Sequence, residues 1–276
     1  MRYDLLLVPF GATYAQMRSA AIAAEESGFN GVWTWDHLRV AHGPGDRVPE
    51  CWTVLSALAE ATRRIQLGPL VLNVANRHPG LLANMAATLQ EVSGGRLVLG
   101  IGAGGGQGTP YSDEQEMIGI RLESDRVRRQ RVAEAIQVMH LLWSGKADSF
   151  VGQHYQIQNP RGFLRPSPPP PIIVAGFGPR MAALAGRFAD GFNTVQTGAN
   201  LAGLIETARG ERRAVGGDGS SFEVSVFTGF RSSLLAPDSS ARASLEQLGV
   251  ERLILNIELP YPLDQIRQAA KFLGTG

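Results

Sequence analysis

Hydrophobic and polar positions divide this chain into two kinds of segment that follow one another in turn. Short apolar runs bounded by glycine or proline are typical of buried strands, and apolar residues spaced three or four apart are typical of amphipathic helices. The pattern predicts eight strands, at residues 3–9, 31–35, 65–72, 96–102, 172–175, 191–195, 222–230 and 251–257. It also predicts eight helices, at residues 13–28, 49–60, 80–92, 123–143, 180–189, 201–215, 240–248 and 263–273.

This alternation predicts a parallel sheet whose strands are joined by crossover helices. Eight strand–helix units predict an α/β fold of the (β/α)8 TIM-barrel type, and the alternative is an open doubly wound sheet. A length of 276 residues fits a single domain of this type, over residues 1–276. Residues 150–157 depart from the rhythm, because they alternate around Gly152, and they predict a small hairpin inserted near residues 146–165.

Composition and charge exclude several classes of function. Lys and Arg number 26 against 25 Asp and Glu, and this balance argues against binding to nucleic acid through bulk charge. The single cysteine, Cys51, excludes an intramolecular disulfide, and the histidines lack the spacing of metal ligands, so we predict no metal site. The sequence contains no run of 18 apolar residues, the length that would span a membrane. We expect a cytoplasmic protein that acts on a small molecule.

Chemically useful residues follow the predicted strands on one side only. In barrels of this type the ligand site lies at the carboxyl ends of the strands. Polar, aromatic or glycine-rich segments stand at those ends, whereas the opposite turns are ordinary. These segments are Trp35–Asp36–His37, Leu72–Asn73, residues 100–107, residues 176–180 and Asn193–Thr194.

His37 is the candidate for proton transfer, because an imidazole can donate or accept a proton near neutral pH. A structural histidine is the alternative interpretation. Asp36 could orient that ring, accept a hydrogen bond from a ligand or cap a turn. Glu114 and Glu116 could reach the rim from their loop, but we interpret them as part of a solvated acidic face, and Arg77 as a residue at the start of a helix.

Two glycine-rich segments are candidates for ligand contact. Residues 100–105 have the spacing of a dinucleotide fingerprint, but Pro110 follows where that motif needs a helix. We interpret them as bare backbone against which a flat ligand lies, or as a loop that merely lacks side chains. Residues 176–180 open a helix with a proline, so their amide groups are a candidate cradle for a phosphate, or an ordinary helix entry.

Several of these segments together resemble the luciferase-like monooxygenase family. The resemblance rests on GFNGVWTWDHL at residues 28–38, GPLVL at 68–72, SGGRLVLGIGAG at 93–104 and AGFGPR at 175–180. The Asp36–His37 pair after the second strand resembles the branch of the family that uses the deazaflavin coenzyme F420.

The resemblance implies a TIM barrel, often a homodimer, with the cofactor ring against the rim of the third strand. It implies a non-proline cis peptide between Leu70 and Val71 that supports the back of the ring. It places Asp36 at the polar edge of the ring and His37 at its reacting face. The remaining residues that it implies for cofactor binding are Asn73, Gly104, Gly105, Ala175, Gly176, Phe177 and Gly178.

The sequence also departs from the family. In sugar-phosphate dehydrogenases of this branch a glutamate follows the glycines of strand four, whereas Gly105 and Gly106 stand here.

From the resemblance as a whole we expect an F420-dependent oxidoreductase that moves a hydride between the C5 atom of the deazaflavin and an unidentified organic substrate. The alternatives are an FMN-dependent monooxygenase and a non-enzymatic carrier of flavin or deazaflavin.

Overall fold

The apolar runs form the strands of one parallel sheet. The structure is a computed structural model and describes residues 1–40, 46–197, 200–217 and 222–273. Along the chain, the strands of this sheet are β1 (Arg2–Leu7), β2 (Gly31–Thr34), β3 (Gln66–Pro69), β4 (Leu72–Asn73), β5 (Leu99–Gly102), β8 (Ile172–Ala175), β9 (Gly191–Val195), β10 (Glu223–Gly229) and β11 (Arg252–Ile257). Their order in the sheet is β3-β2-β1-β11-β10-β9-β8-β5-β4.

The sheet closes on itself because both of its edges come from the predicted third strand. That strand is divided into β3 and β4 by a cis peptide between Leu70 and Val71. β4 pairs with β5, and on the β3 side Leu67 forms a parallel bridge to Leu97. The predicted (β/α)8 TIM barrel is therefore confirmed, with its third strand in two pieces and nine strand segments in total.

All eight predicted helices are present at nearly their expected places. They are α1 (Tyr14–Glu26), α2 (Cys51–Ala61), α3 (Pro79–Val92), α5 (Asp125–Ser144), α6 (Pro179–Phe188), α7 (Leu201–Ala214), α8 (Ser240–Gln247) and a last helix divided into α9 (Leu263–Gln268) and α10 (Ala270–Leu273). A short helix that the pattern does not predict, α4 (Glu114–Met117), lies in the loop after β5. A segment of four residues is too short to give a periodic signal.

Side-chain caps fix where several helices begin. Thr13 forms a capping box with Gln16 at α1, and Ser124 accepts a hydrogen bond from the backbone of Val127 at α5. Glu50 accepts hydrogen bonds from two backbone N–H groups, which places the start of α2 at Cys51 rather than at residue 49. Each cap satisfies N–H groups that have no partner within the helix.

The core has two parts. The larger lies between the sheet and the surrounding helices, and the smaller fills the barrel interior. The interior is a packed layer rather than a channel. Its buried side chains are Leu6, Val8, Phe10, Trp33, Leu70, Val98, Ile173 and Ile254.

The predicted hairpin is formed by β6 (Phe150–Val151) and β7 (Gln156–Ile157), which pair antiparallel to each other. It lies outside the barrel sheet as a two-stranded sheet of its own. Across the described part of the chain, every helix is too short or too polar to cross a lipid bilayer.

Candidate functional site

A cavity of about 620 Å³ opens at the carboxyl ends of the barrel strands, where the sequence predicts the ligand site. This volume is typical of a site for a small molecule or cofactor. Ten of the eleven predicted site residues line it: Asp36, His37, Leu70, Val71, Asn73, Gly104, Gly105, Ala175, Gly176 and Phe177. Gly178 does not line it but follows Phe177 directly and is the N-cap residue of α6.

His37 lies among aromatic rings at the end of β2. The ring of Tyr111 stacks on it, with 3.7 Å between ring centroids and 23° between planes. Trp35 contacts it edge-on at 5.8 Å, and Phe10 lies at the same distance. These contacts hold the imidazole in place, and its side chain remains 23% exposed towards the cavity.

A carboxylate, that of Glu114, also contacts His37. The favoured sequence interpretation of Glu114 as a solvated residue is wrong. Glu114 is not part of a solvated face, because its side chain is only 7% exposed and its Oε2 lies 3.1 Å from Nδ1 of His37. Its Oε1 accepts hydrogen bonds from the backbone N–H groups of Leu38 and Arg39, at 3.2 and 3.4 Å. Glu116, two residues further on, is exposed as expected.

Asp36 is part of a buried ion pair. Arg77 binds both of its carboxylate oxygens, at 2.7 and 2.9 Å, and the backbone N–H of Asn73 binds one of them at 3.0 Å. Burial raises the pKa of Asp36, and the hydrogen bonds from Arg77 act in the opposite direction. Although burial lowers the pKa of Arg77, its hydrogen bonds to Asp36 and Glu50 raise it. A mostly buried charged pair therefore forms part of the cavity wall, which Asp36 lines.

Contacts within the protein explain why glycines follow β5, because larger residues would collide with neighbouring parts of the chain. A Cβ atom at Gly104 would collide with the side chain of Asn73, and one at Gly105 would lie 2.7 Å from the backbone of Tyr111. Gly104 also has a φ of 72°, a conformation that glycine adopts at little cost. These glycines thus allow the loop that carries Tyr111 and Glu114 to fold back over the cavity. No helix begins at Gly105, so the dinucleotide spacing is coincidental.

The start of α6 lies at the rim of the cavity. Gly176 and Phe177 line the cavity, and Pro179 is in the first turn of the helix. A Cβ at Gly178 would meet nothing within 4 Å, so the space beside this N-cap residue is open. Arg180 is exposed and does not line the cavity, whereas Arg128 and Arg129 of α5 do.

The fold and the site agree with a family whose model the sequence matches. Residues 5–268 match the family model of the luciferase-like monooxygenases. The chain belongs to this family.

Curated relatives of this luciferase-like protein match about two thirds of its sequence. An F420-dependent glucose-6-phosphate dehydrogenase of Nakamurella multipartita is 35% identical over 181 residues, which are 65% of this chain and 52% of the relative. An F420-dependent hydroxymycolic acid dehydrogenase of Mycobacterium tuberculosis is 31% identical over 204 residues, which are 72% of this chain and 54% of the relative. The matched part spans about half the length of these relatives.

Solved structures share the luciferase-like barrel over nearly its whole length. An F420-dependent secondary alcohol dehydrogenase, determined with an F420–acetone adduct, has a TM-score of 0.82 and 19% identity, and the match covers 99% of both chains. A monooxygenase of Streptomyces bottropensis has a TM-score of 0.75 and 21% identity, and the match covers 99% of this chain and 97% of the monooxygenase. At these identities the likeness shows the fold.

Arg77 and Tyr111 of this luciferase-like site escaped the sequence interpretation, and Glu114 was only its less favoured alternative. Each reaches the site from a loop or from the start of a helix, and not from the end of a strand. For Arg77 a signal existed, because a buried aspartate needs a cationic partner and Arg77 follows the next strand of the barrel.

In the described segments, no group of three His, Cys, Asp or Glu side chains could hold a metal ion, and His42 lies outside these segments.

Proposed function

We propose that this chain is a coenzyme F420-dependent oxidoreductase that acts on a small organic substrate. The observation that carries the proposal is His37, which lies in the cavity of a luciferase-like barrel whose curated relatives are named F420-dependent dehydrogenases. When bound, F420 supplies hydride transfer at its C5 atom, and the protein supplies position and proton transfer.

The cavity fits a flat ring that has a polar edge. Leu70 and Val71 give it an apolar wall. Asn193 is fully buried, lines the cavity and donates from Nδ2 to Ser225, but its Oδ1 has no partner among the described residues. A buried acceptor normally has a donor, so this oxygen suits an N–H or O–H group of a ligand. A deazaflavin headgroup and its side chain offer both.

The start of α6 suits the phosphate of such a cofactor. Backbone amides at a helix N-terminus favour negative charge. The open space beside Gly178 leaves room for it. We assign Gly176, Phe177 and Gly178 to the phosphate. We place Asp36 at the polar edge of the ring. The residues that we assign to the ring and its side chain are Leu70, Val71, Asn73, Gly104, Gly105 and Ala175.

His37 is the candidate catalytic residue. Its Nδ1 faces Glu114, so its Nε2 is the atom left to exchange a proton with the substrate. In the oxidation direction the hydroxyl or other heteroatom of the substrate loses its proton to His37, which passes it on to solvent. In the reduction direction the same atom returns a proton to the product.

The test is turnover with a panel of alcohols in the presence of F420, and with carbonyl compounds and enones in the presence of reduced F420. For a substrate that reacts, His37→Ala should lower kcat by about 100-fold or more, since general acid–base catalysis contributes about 10²–10⁴-fold. His154→Ala is the control, because this histidine lies at the hairpin, where it contacts Gln130. Undiminished turnover in His37→Ala would contradict the assigned role.

We also propose that the protein is a homodimer and that it acts in the cytoplasm. The dimer is supported by the family resemblance, and the location by the single cysteine, because disulfides persist mainly outside the cytoplasm and this sequence allows none within the chain. Light scattering coupled to size-exclusion chromatography tests the dimer, which should have twice the mass of one chain.

A further inference from the structure

The segment that follows β5 carries the one carboxylate that contacts the candidate catalytic histidine within the described residues. Residues 110–114 pack against residues 37–39 through the stacking of Tyr111 on His37 and an ion pair between Arg39 and Asp113 at 2.7 Å. Arg39 also donates a hydrogen bond to the backbone oxygen of Pro110, at 2.7 Å. Glu114 is thus held in place by the contacts of the residues that directly precede it.

The hydrogen bonds of Glu114 determine which of its oxygens faces the histidine. Oε1 accepts from two backbone N–H groups, those of Leu38 and Arg39, and these groups can only donate. Oε2 is therefore the oxygen that is left for Nδ1 of His37, at 3.1 Å. A carboxylate only accepts hydrogen bonds, so the proton of this bond must belong to Nδ1.

A neutral imidazole carries one N–H and one lone pair. With the proton on Nδ1, the lone pair of His37 is on Nε2. This atom has no hydrogen-bond partner among the described residues, and His37 lines the cavity. The ring is therefore ready to accept a proton from a substrate, without first having to change its tautomer.

We propose that Glu114 is the positioning residue of His37, and that it holds the ring in the Nδ1–H tautomer with Nε2 as the base. The catalytic part of this inference rests on the proposed oxidoreductase function, whereas the tautomer does not. The carboxylate comes from α4, about ten residues beyond the glycines that follow β5. The site therefore has an acidic side chain, although glycines stand at positions 105 and 106.

The tautomer is tested in the protein alone by long-range ¹H–¹⁵N NMR, at about pH 9, where histidine side chains are largely neutral. The signals of His37 are those that disappear in His37→Ala. We expect a protonated Nδ1 and a bare Nε2 in the wild-type protein. A proton on Nε2, or on both nitrogens, in the wild-type protein would overturn the proposal, even if every variant at Glu114 failed to fold.

Glu114→Gln should reverse the tautomer. The amide oxygen is needed by the N–H groups of Leu38 and Arg39, so the NH₂ group must face Nδ1, which then becomes an acceptor. The proton of the ring moves to Nε2. Glu116→Gln is the matched control, because Glu116 is exposed on the same short helix, and it should leave the spectrum unchanged. An unchanged tautomer in Glu114→Gln would count against the assignment.

The catalytic consequence is a loss in kcat that depends on His37. We expect Glu114→Gln to lower kcat for substrate oxidation by about 10–100-fold and to leave KM and the Kd for F420 within about threefold. In the His37→Ala background the same change should have little further effect, because the two residues act as one unit. A full additional loss in that background would refute a role exerted through His37. If no F420-dependent turnover exists at all, the proposed function fails, and the NMR result still decides the tautomer.

Discussion

At the scale of single residues, the wall of the cavity depends on the ion pair between Asp36 and Arg77. The Asp36 side chain is only 1% exposed, and Arg77 supplies two of its three hydrogen bonds. Removal of one partner of a buried pair leaves an uncompensated charge, which is much more costly than the net contribution of the pair itself.

We therefore expect Arg77→Met to lower the free energy of unfolding by about 3–5 kcal/mol, as measured by urea denaturation at neutral pH. Arg64→Met is the control, because Arg64 is exposed and its side chain has no hydrogen bond in the described residues. Asp36→Asn combined with Arg77→Met should cost less than the sum of the two single changes. A change of less than about 1 kcal/mol for Arg77→Met would show that the pair carries no such cost.

The sequence predicts well which residues line the cavity where they end or directly follow strands, because barrel topology brings these strand ends to one rim. Asp36, His37 and Asn73 were predictable for this reason. The partners of His37 were not, because the loop that carries Tyr111 and Glu114 has no periodicity from which its path could be predicted. A glutamate in such a loop looks the same in sequence whether it is buried or solvated.

At the scale of elements, α1 is tied to the turn before β3 by Glu25. Its Oε1 accepts the backbone N–H groups of Arg63, Arg64 and Ile65, at 2.9, 2.6 and 2.9 Å. Burial opposes ionisation of Glu25, but these hydrogen bonds to its charged form lower its pKa below the ordinary value of 4.5. The carboxylate therefore satisfies three N–H groups that no strand or helix pairs.

This shift predicts a pH dependence of stability. Because the folded pKa is below the unfolded one, the carboxylate stabilises the fold above the unfolded pKa, and this stability is lost as the pH falls through the folded pKa. At neutral pH we expect Glu25→Gln to cost on the order of 1 kcal/mol, a figure kept low because the group is partly exposed. The difference from wild type should shrink as the pH falls below the ordinary pKa of 4.5 and through the lowered pKa of the folded state.

Denaturation curves at several pH values measure this difference. Glu26→Gln is the control, because Glu26 is an exposed neighbour on the same helix. A pH-independent difference between wild type and Glu25→Gln would mean that the charge of Glu25 does not matter.

Elements of regular length were predictable because their apolar residues repeat with the period of a strand or a helix. The break in the third strand was not predictable in this way, since residues 65–72 are mostly apolar, with Gln66, one glycine and one proline among them, and the pattern indicates a single strand. The cis peptide between Leu70 and Val71 followed only from the family resemblance, and the structure confirms it.

At the scale of the whole molecule, a cluster of charged side chains around Arg252 fills the end of the barrel opposite the cavity. Arg252 of β11 pairs with Asp4 of β1 and Glu223 of β10, and donates to Gln66 of β3 at 2.8 Å. Asp4 and Arg252 are almost completely buried. One side chain thus joins strands from both ends of the chain, and we propose that residues 1–276 form one domain.

A single domain predicts one unfolding transition. All four tryptophans, Trp33, Trp35, Trp52 and Trp143, lie in the first 143 residues, so their fluorescence reports on that part alone, whereas far-UV circular dichroism reports on every helix. We expect the two signals to change together as urea is added. Two separate midpoints would mean that the halves of the barrel unfold independently.

The central claim is that the cavity at the strand ends holds a deazaflavin. Its most direct test is an equilibrium titration of the purified protein with F420 and, separately, with FMN, in which the fluorescence of each cofactor is followed. We expect saturable binding of F420 with a Kd at least about tenfold lower than that for FMN, a difference of about 1.4 kcal/mol. Tighter binding of FMN, or no binding of F420, would contradict it.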